Sequence, residues 1–398
     1  MISGSFRAIR LCHEVDMKQK SIEIFLFIDA LGWKIVNDHK FLEDLLPYRK
    51  SAFMQFGYSS SAIPTILSGK TPSEHGHLGL FRFTKNDSPF KKLSRLAWLF
   101  KPESLWNRGR VRHHLSKLIK KLYGFTGYFQ LYRMPIWKLK FVDYCEKQDL
   151  FIAHGMMPFD NLYDSLSKMN IPLHISDWHL SDTENFSAAE QAVAIGKRFL
   201  FVYTASFDGM LHNQVNDFQA VKKRLEAMKV QIKSLYDKAH EHAESVHFTI
   251  ISDHGMTPLI QTVDIMSAIE KTGLVFGDDY GACYDSTMAR FYYLSDESQD
   301  IIEKTMCQYS GHFLTIEEEK HYGIYREDRL FGDAIFLLDA GIQIAPSDMG
   351  DKPLNGMHGF IPEDIHSAAA VLADAPIPEY VNGVKDYYKF MIERAEAL

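Results

Sequence analysis

Six residues spread along this chain carry the chemistry of metal ligands: Asp29, Asp208, His212, Asp253, His254 and His358. Asp208 and His212 stand four apart, so one loop or helical turn can aim both at a single ion. Asp253 and His254 are adjacent. Neighbours along a strand point apart, so these two either face different ions or flank one ion within a loop. Carboxylate together with imidazole suits Zn²⁺ or Mn²⁺ rather than Ca²⁺. Six such ligands make two three-ligand sites with open positions, as a catalytic metal site requires. Two ions roughly 4 Å apart stabilise both the attacking and the leaving oxygen of an in-line phosphoryl displacement.

These residues need elements to position them. Ile22–Ile28 is an apolar run broken only by Glu23, and it ends at Asp29-Ala30-Leu31-Gly32. That is the pattern of a buried parallel strand leading into a loop. Phe199–Tyr203 and Val246–Ile251 repeat it, leading to Asp208 and Asp253, and Ile171–Ile175 is a further candidate strand. Between them lie helical stretches. One runs from Val215 to about Glu244, with Val221, Leu225, Met228, Ile232 and Leu235 at steps of three and four, and another spans Ser187–Arg198. Strands alternating with helices predict an α/β fold, a mostly parallel sheet covered on both faces. Ligands bind beyond the carboxyl ends of strands in such sheets, so three acidic residues at three such ends predict one site.

The chain has 398 residues, 46% hydrophobic and 24% charged, ordinary values for a globular protein large enough to fold without a structural metal. Cys12, Cys145, Cys283 and Cys307 are far apart and form no CxxC pair, the usage of a reducing compartment. The first twenty residues are rich in charge, no apolar run of leader length precedes them, and no eighteen-residue apolar run occurs anywhere. A cytoplasmic location is expected.

The motifs extend beyond the six ligands. Gly57–Gly76 contains Ser59-Ser60-Ser61, Ser68-Gly69, Pro72 and His75-Gly76. Asp253-His254-Gly255-Met256 follows a strand, and His358-Gly359 comes late. The whole set, in this order from residue 22 to residue 360, resembles the alkaline phosphatase superfamily, and within it the type I phosphodiesterase/nucleotide pyrophosphatase branch. The resemblance implies a three-layer α/β/α sandwich with a central mostly parallel sheet and an inserted cap. It implies a nucleophile at Ser59, counted back from Ser68-Gly69, with Ser60 and Ser61 as neighbouring alternatives. One ion would be held by Asp208, His212 and His358. The other would be held by Asp29, Asp253 and His254, beside the Ser59 oxygen. His75 reads as structural.

The activity so implied is two-metal-dependent hydrolysis of a phosphodiester or pyrophosphate bond through a phosphoserine intermediate on Ser59, with Zn²⁺ as the expected ion and Mn²⁺ as the alternative. A helix opening near Ser60 would turn its N–H groups to the phosphoryl oxygens. The branch often places an Asn after its His-Gly, but here Leu78-Gly79-Leu80-Phe81-Arg82 stands there. Substrate phosphate must then be met by Arg82 or a backbone N–H. Arg290, ahead of the aromatic strand Phe291–Leu294, is a second candidate, although a structural arginine is the commoner outcome at such a position. The rivals are a phosphomonoesterase, a phospho-head-group transferase acting on a lipid-linked substrate, and a non-catalytic binding protein that keeps the fold. The absence of a Cys-x-Pro-x-Arg segment argues against a sulfatase.

Residues 81–150 interrupt the strand–helix rhythm and read as an insertion between two parts of one catalytic core, 1–80 and 151–398. Within it, 81–140 holds fifteen Lys/Arg against Asp87 and Glu103, a net of +13. The rest of the chain is left at −20 for a total of −7. In residues 111–122 an apolar stripe of Val111, Leu115, Leu118, Ile119 and Leu122 lies beside Arg112, Lys117, Lys120 and Lys121, with Trp98, Trp106 and Trp137 nearby. Such a helix serves as a cap packed on the core or as a contact with a membrane surface. Nucleic acid is the partner it fits least. The expected substrate is a small-molecule or lipid-linked phosphodiester.

Overall fold

The computed structural model describes residues 18–100, 106 and 108–398. The expectations resting on Cys12 and on most of the first twenty residues lie outside the described residues.

Gln19–Ile28 is the axis of the molecule. It pairs in parallel with Phe199–Thr204 on one side and Ala243–Ile251 on the other. The six-stranded sheet runs in the order Tyr48–Ala52, Ala369–Ala373, Ala243–Ile251, Gln19–Ile28, Phe199–Thr204, Leu173–Ile175. Ala369–Ala373 runs antiparallel to both its neighbours, and the other pairings are parallel. Alternate side chains leave opposite faces of a strand. Ile22, Ile24, Leu26 and Ile28 therefore pack with Leu200 and Val202 under the helices Asp182–Ala194 and Phe218–His242. Phe25 and Phe27 pack with Phe199, Phe201 and Tyr203 on the other face, under Ser59–Ser68, Leu162–Lys168 and Tyr387–Glu396. Both faces are covered, which makes three layers.

The predicted periodic residues Val221, Leu225, Met228, Ile232 and Leu235 are all buried along Phe218–His242. The element does not start at Val215, however. A separate helix, Ser206–Gln214, ends there, and Asp217 opens the next by accepting from the N–H groups of Gln219 and Ala220. An N-cap aspartate in place of a helix-interior residue explains the break. The expected helix over Ser187–Arg198 instead begins at Asp182, set there by a capping box between Ser181 and Glu184. A second sheet, antiparallel and four-stranded, runs Tyr280–Tyr284, Met288–Tyr293, Ala334–Leu338, Gly311–Phe313.

Residues 81–144 leave and rejoin the body through an antiparallel stem, Phe81–Phe83 with Val142–Tyr144. Within them the helix Gly109–Tyr123 buries Leu115 and Ile119 against Phe90, Phe129 and Leu131. The expected stripe is split. Leu118 and Leu122 are 53% and 68% exposed, and Arg112 takes an inward place, donating to the carbonyls of Leu131, Tyr132 and Met134. A guanidinium that finds three acceptors can be buried where a lysine could not.

Candidate active site

The site forms where the central strands end. Asp29 follows Ile28 directly, and Asp253 lies two residues past Ile251. The two loops touch. A Cβ on Gly32 would stand 2.5 Å from the Gly255 Cα, and one on Gly255 would stand 2.0 Å from the His366 carbonyl oxygen. Only glycine at both positions lets the Asp29 and Asp253 loops approach this closely. The contact is completed by Asp253 Oδ1, which accepts from the N–H of Ala30 at 3.1 Å and of His254 at 3.0 Å. The Tyr203 hydroxyl, from the neighbouring strand, donates to Asp29 Oδ2 at 3.1 Å.

Asp208 and His212 sit one turn apart on Ser206–Gln214, with His212 Nε2 3.3 Å from Asp208 Oδ2. His358 arrives from far along the chain because Gly356–Met357 pairs with Thr257–Pro258, just beyond the Asp253 loop. Backbone carbonyls orient two of the rings. His212 Nδ1 meets Gly356 O at 2.9 Å, and His254 Nδ1 meets Gly255 O at 2.8 Å. An Nδ1–H donated to a carbonyl leaves Nε2 with its lone pair facing the centre, the tautomer a metal takes.

Ser59 is the first residue of Ser59–Ser68, entered from Tyr58 in extended conformation and from Gly57 at φ +113°. Of the three serines, Ser60 donates to Leu78 O, and Ser61 donates to Phe56 O and Tyr58 O. Ser59 Oγ instead lies 3.1 Å from His254 Nε2. The N–H groups of Ser61 and Ala62 already reach Tyr58 O at 2.7 and 3.0 Å. Those of Ser59 and Ser60 are the ones left at the helix N-terminus.

Asp208, His212 and His358 offer ligand atoms within 4.8 Å of one another, and so do Asp29, Asp208 and His254. Asp208 thus belongs to both groups. Asp253 falls outside this second group, although its Oδ2 is 3.1 Å from His254 Nε2. The residues fit divalent cations on a second count. Asp29 Oδ1, Asp208 Oδ1, Asp253 Oδ2 and His358 Nδ1 are all buried and make no hydrogen bond. The unpaired oxygens of three neighbouring carboxylates are costly in a folded chain unless a cation takes them up.

The electrostatics agree. Burial, then the carboxylates of Asp253 and Asp208, raise the Asp29 pKa well above its ordinary value. Burial opposes a charge on His254, but Asp253, Asp29 and Asp208 outweigh it and lift the imidazole to about 10. Burial and the charge of His254 hold His358 well below its usual value, with the two rings stacked 3.8 Å apart. Burial would raise Asp208, yet its bond to His212 and the surrounding imidazoles bring it down.

The site opens into a cavity of about 860 Å³. Arg82 and Arg290 are not brought to it. Arg82 donates to Asp143 Oδ2 at 2.7 Å. Arg290 is fully buried, with Nε on Asp285 Oδ2 at 2.7 Å and Nη2 on Phe81 O at 2.6 Å. Lys352 is the one Lys or Arg in the wall among the described residues. His75 bonds Thr65 Oγ1 through Nε2, away from the centre. Sequence reasoning missed Tyr203, Tyr128, Tyr132 and Glu146, all of which line the cavity. Tyr203 alone left a signal, as the last residue of a predicted strand.

The sandwich, with Asp/His groups and a helix-opening serine at its strand ends, has an alkaline phosphatase-like fold. Solved structures share that fold. Murine ectonucleotide pyrophosphatase/phosphodiesterase 5 superposes with TM-score 0.64 at 12% identity, covering 95% of each chain. An inactive variant of that murine protein in complex with AMP gives the same values. The human counterpart gives 0.63 at 13% identity, again over 95% of each chain. No curated protein sequence matches the chain. The family model for type I phosphodiesterase/nucleotide pyrophosphatase matches residues 24–361, and the chain belongs to that family of hydrolases.

Proposed function

We propose that the protein hydrolyses a phosphodiester or pyrophosphate bond in two steps through Ser59. The observation that carries this reading is the Ser59 Oγ, which is not engaged with a backbone carbonyl as its neighbours are and faces the Asp/His cluster through His254. Two divalent cations, with Zn²⁺ favoured and Mn²⁺ the alternative, would be held by Asp208, His212 and His358 and by Asp29, Asp253 and His254. Bound there, they would lower the pKa of the serine hydroxyl and offset charge on the phosphoryl oxygens.

The chain's own groups do the rest. Ser59 Oγ forms the new P–O bond as the leaving oxygen departs, and water later cleaves the Ser59 phosphoester. The free N–H groups of Ser59 and Ser60 receive a phosphoryl oxygen at the helix N-terminus. They supply what Arg82 and Arg290, turned elsewhere, do not. Tyr203 holds Asp29 in orientation. The buried Asp208 carboxylate in the cavity wall would repel a phosphate were there no bound cations.

The test compares bis-p-nitrophenyl phosphate with p-nitrophenyl phosphate. The diester is expected to turn over faster, and Ser59→Ala to lower kcat by about 10³-fold or more with the fold intact. Undiminished turnover by Ser59→Ala would refute the nucleophile, and preference for the monoester would favour a phosphomonoesterase. The AMP complex of the murine neighbour supports a nucleotide among the diesters to be screened.

We also propose a cytoplasmic site of action, in contact with the membrane surface. Free thiols at Cys145, Cys283 and Cys307 support a reducing compartment. The exposed Leu118 and Leu122, beside Lys117 and Lys121 on the same helix, support contact with anionic lipid.

A further inference from the structure

The insertion does more than border the cavity. Tyr128, Tyr132, Glu146 and Gln148 all stand in its wall. Glu146 is the unusual member. It is 9% exposed, and no hydrogen bond or ion pair reaches its carboxyl among the described residues. Burial alone raises its pKa to about 8, because nothing nearby compensates a negative charge there. A buried acid with no partner is costly and is ordinarily paired. Glu146 lines the cavity, so a group bound there can pair with its carboxyl.

The groups around it say what that partner is. The Tyr128 and Tyr132 hydroxyls lie 2.6 Å apart and close enough to Glu146 for its charge to bear on both phenols. Both phenols also feel Asp208. Tyr128, Tyr132, Glu146 and Asp208 all stand in the wall of the same cavity. A carboxyl, two phenols and the Gln148 amide form a set that both donates and accepts. Such a set matches hydroxyl groups, which do the same. A cationic head group is matched less well. The Trp178 ring that would box it carries Lys120 Nζ at 5.0 Å and stacks on His179 at 3.8 Å.

We propose that Glu146, Tyr128 and Tyr132 form a recognition subsite for a hydroxyl-rich group, a polyol or sugar, esterified to the phosphate that Ser59 attacks. The inference rests on the phosphodiesterase reading, but the subsite is read by binding as well as by turnover. Sites built to hydrogen-bond a hydroxyl reject analogues lacking it, because their own buried groups are left unpaired.

The experiment uses glucose 6-(p-nitrophenyl phosphate) and methyl p-nitrophenyl phosphate. The ratio of their kcat/KM values is measured in the wild type, Glu146→Ala, Glu146→Gln and Tyr132→Phe. The wild type is expected to favour the sugar ester by 10- to 100-fold. Glu146→Ala is expected to bring the ratio to within threefold of one, and Tyr132→Phe to lower it partway. Glu146→Gln keeps a donor and an acceptor and should keep most of the preference. Calorimetric affinities of the same two esters for Ser59→Ala and Ser59→Ala/Glu146→Ala should show the same ratios. A sugar preference in binding without wild-type turnover would sink the hydrolase reading and leave the subsite standing. Equal rates for the two esters in the wild type together with equal affinities in Ser59→Ala would overturn the subsite, and so would a ratio unmoved in Glu146→Ala. A p-nitrophenyl phosphocholine preferred over the sugar ester, with that preference lost in Glu146→Gln as fully as in Glu146→Ala, would overturn it in favour of a cation site.

Discussion

Asp29, Asp208 and Asp253 bring three carboxylates together inside the protein, each with an oxygen that accepts no hydrogen bond. Cations that bind only the folded chain stabilise it by mass action, about 2.7 kcal/mol at a hundredfold excess over Kd. Dialysis against a chelator should therefore abolish turnover and lower Tm by several degrees, and added Zn²⁺ or Mn²⁺ should restore both. A Tm indifferent to chelator in scanning calorimetry would count against the metal reading. Glu146 makes a separate prediction about stability. In the unfolded chain it loses its proton near 4.5, and in the folded chain it holds it to about 8. The unfolded state thus binds fewer protons between those values, so the wild type loses stability as pH rises through that window and holds level above it. Glu146→Gln has no proton to lose. Its Tm advantage should widen by a few degrees from pH 5 to pH 8.5, and curves that stay parallel would show that Glu146 is not buried as described.

The strand ends behave as one element, because the Asp29 and Asp253 loops touch through Gly32 and Gly255. A Cβ at Gly255, 2.0 Å from a carbonyl oxygen, cannot be relieved by a side chain moving aside. Gly255→Ala should cost about 1–3 kcal/mol and also weaken metal affinity, whereas Gly209→Ala, with nothing within 4 Å, should do neither. Equal Tm and metal content in the two variants would contradict the close approach. The core strands were legible because burial on both faces leaves unbroken apolar runs such as Ile22–Ile28. The acidic residues Asp29 and Asp253 just past two of these strands were placed by the same runs. Other elements were not. In Tyr280–Tyr284 and Met288–Tyr293 every position except Tyr293 is buried, so no alternation marks them as a sheet. The break before Phe218 turns on a single capping aspartate inside an otherwise helical pattern. Leu118 and Leu122 match helical spacing yet face outward, because periodicity finds a face and not its partner. Glu146, Tyr128 and Tyr132 carry no local signal, since only tertiary packing of the insertion brings them to the cavity.

Charge divides the whole molecule as well, with +13 over residues 81–140 and −20 over the remainder. On the helix Gly109–Tyr123 there is no acidic residue, and Lys117, Leu118, Lys121 and Leu122 are all exposed. Trp98 of the same insertion is 69% exposed. A Lys or Arg near an anionic bilayer contributes about 1 kcal/mol, and leucines entering the interface add apolar burial. The acidic body would be repelled by the same surface, so the proposed membrane contact would be insertion-first. Vesicles of phosphatidylcholine with 30% phosphatidylglycerol should co-sediment the protein at low salt, and pure phosphatidylcholine should not. Raising the salt from 50 to 300 mM should weaken binding about tenfold, because screening shortens the reach of the lysines. Leu118→Asp/Leu122→Asp should reduce binding at least as much while bis-p-nitrophenyl phosphate is still hydrolysed, since neither leucine lines the cavity. Equal failure to bind both vesicle types would remove the membrane from this account. Binding that ignores the double substitution would shift the contact to another face of the insertion.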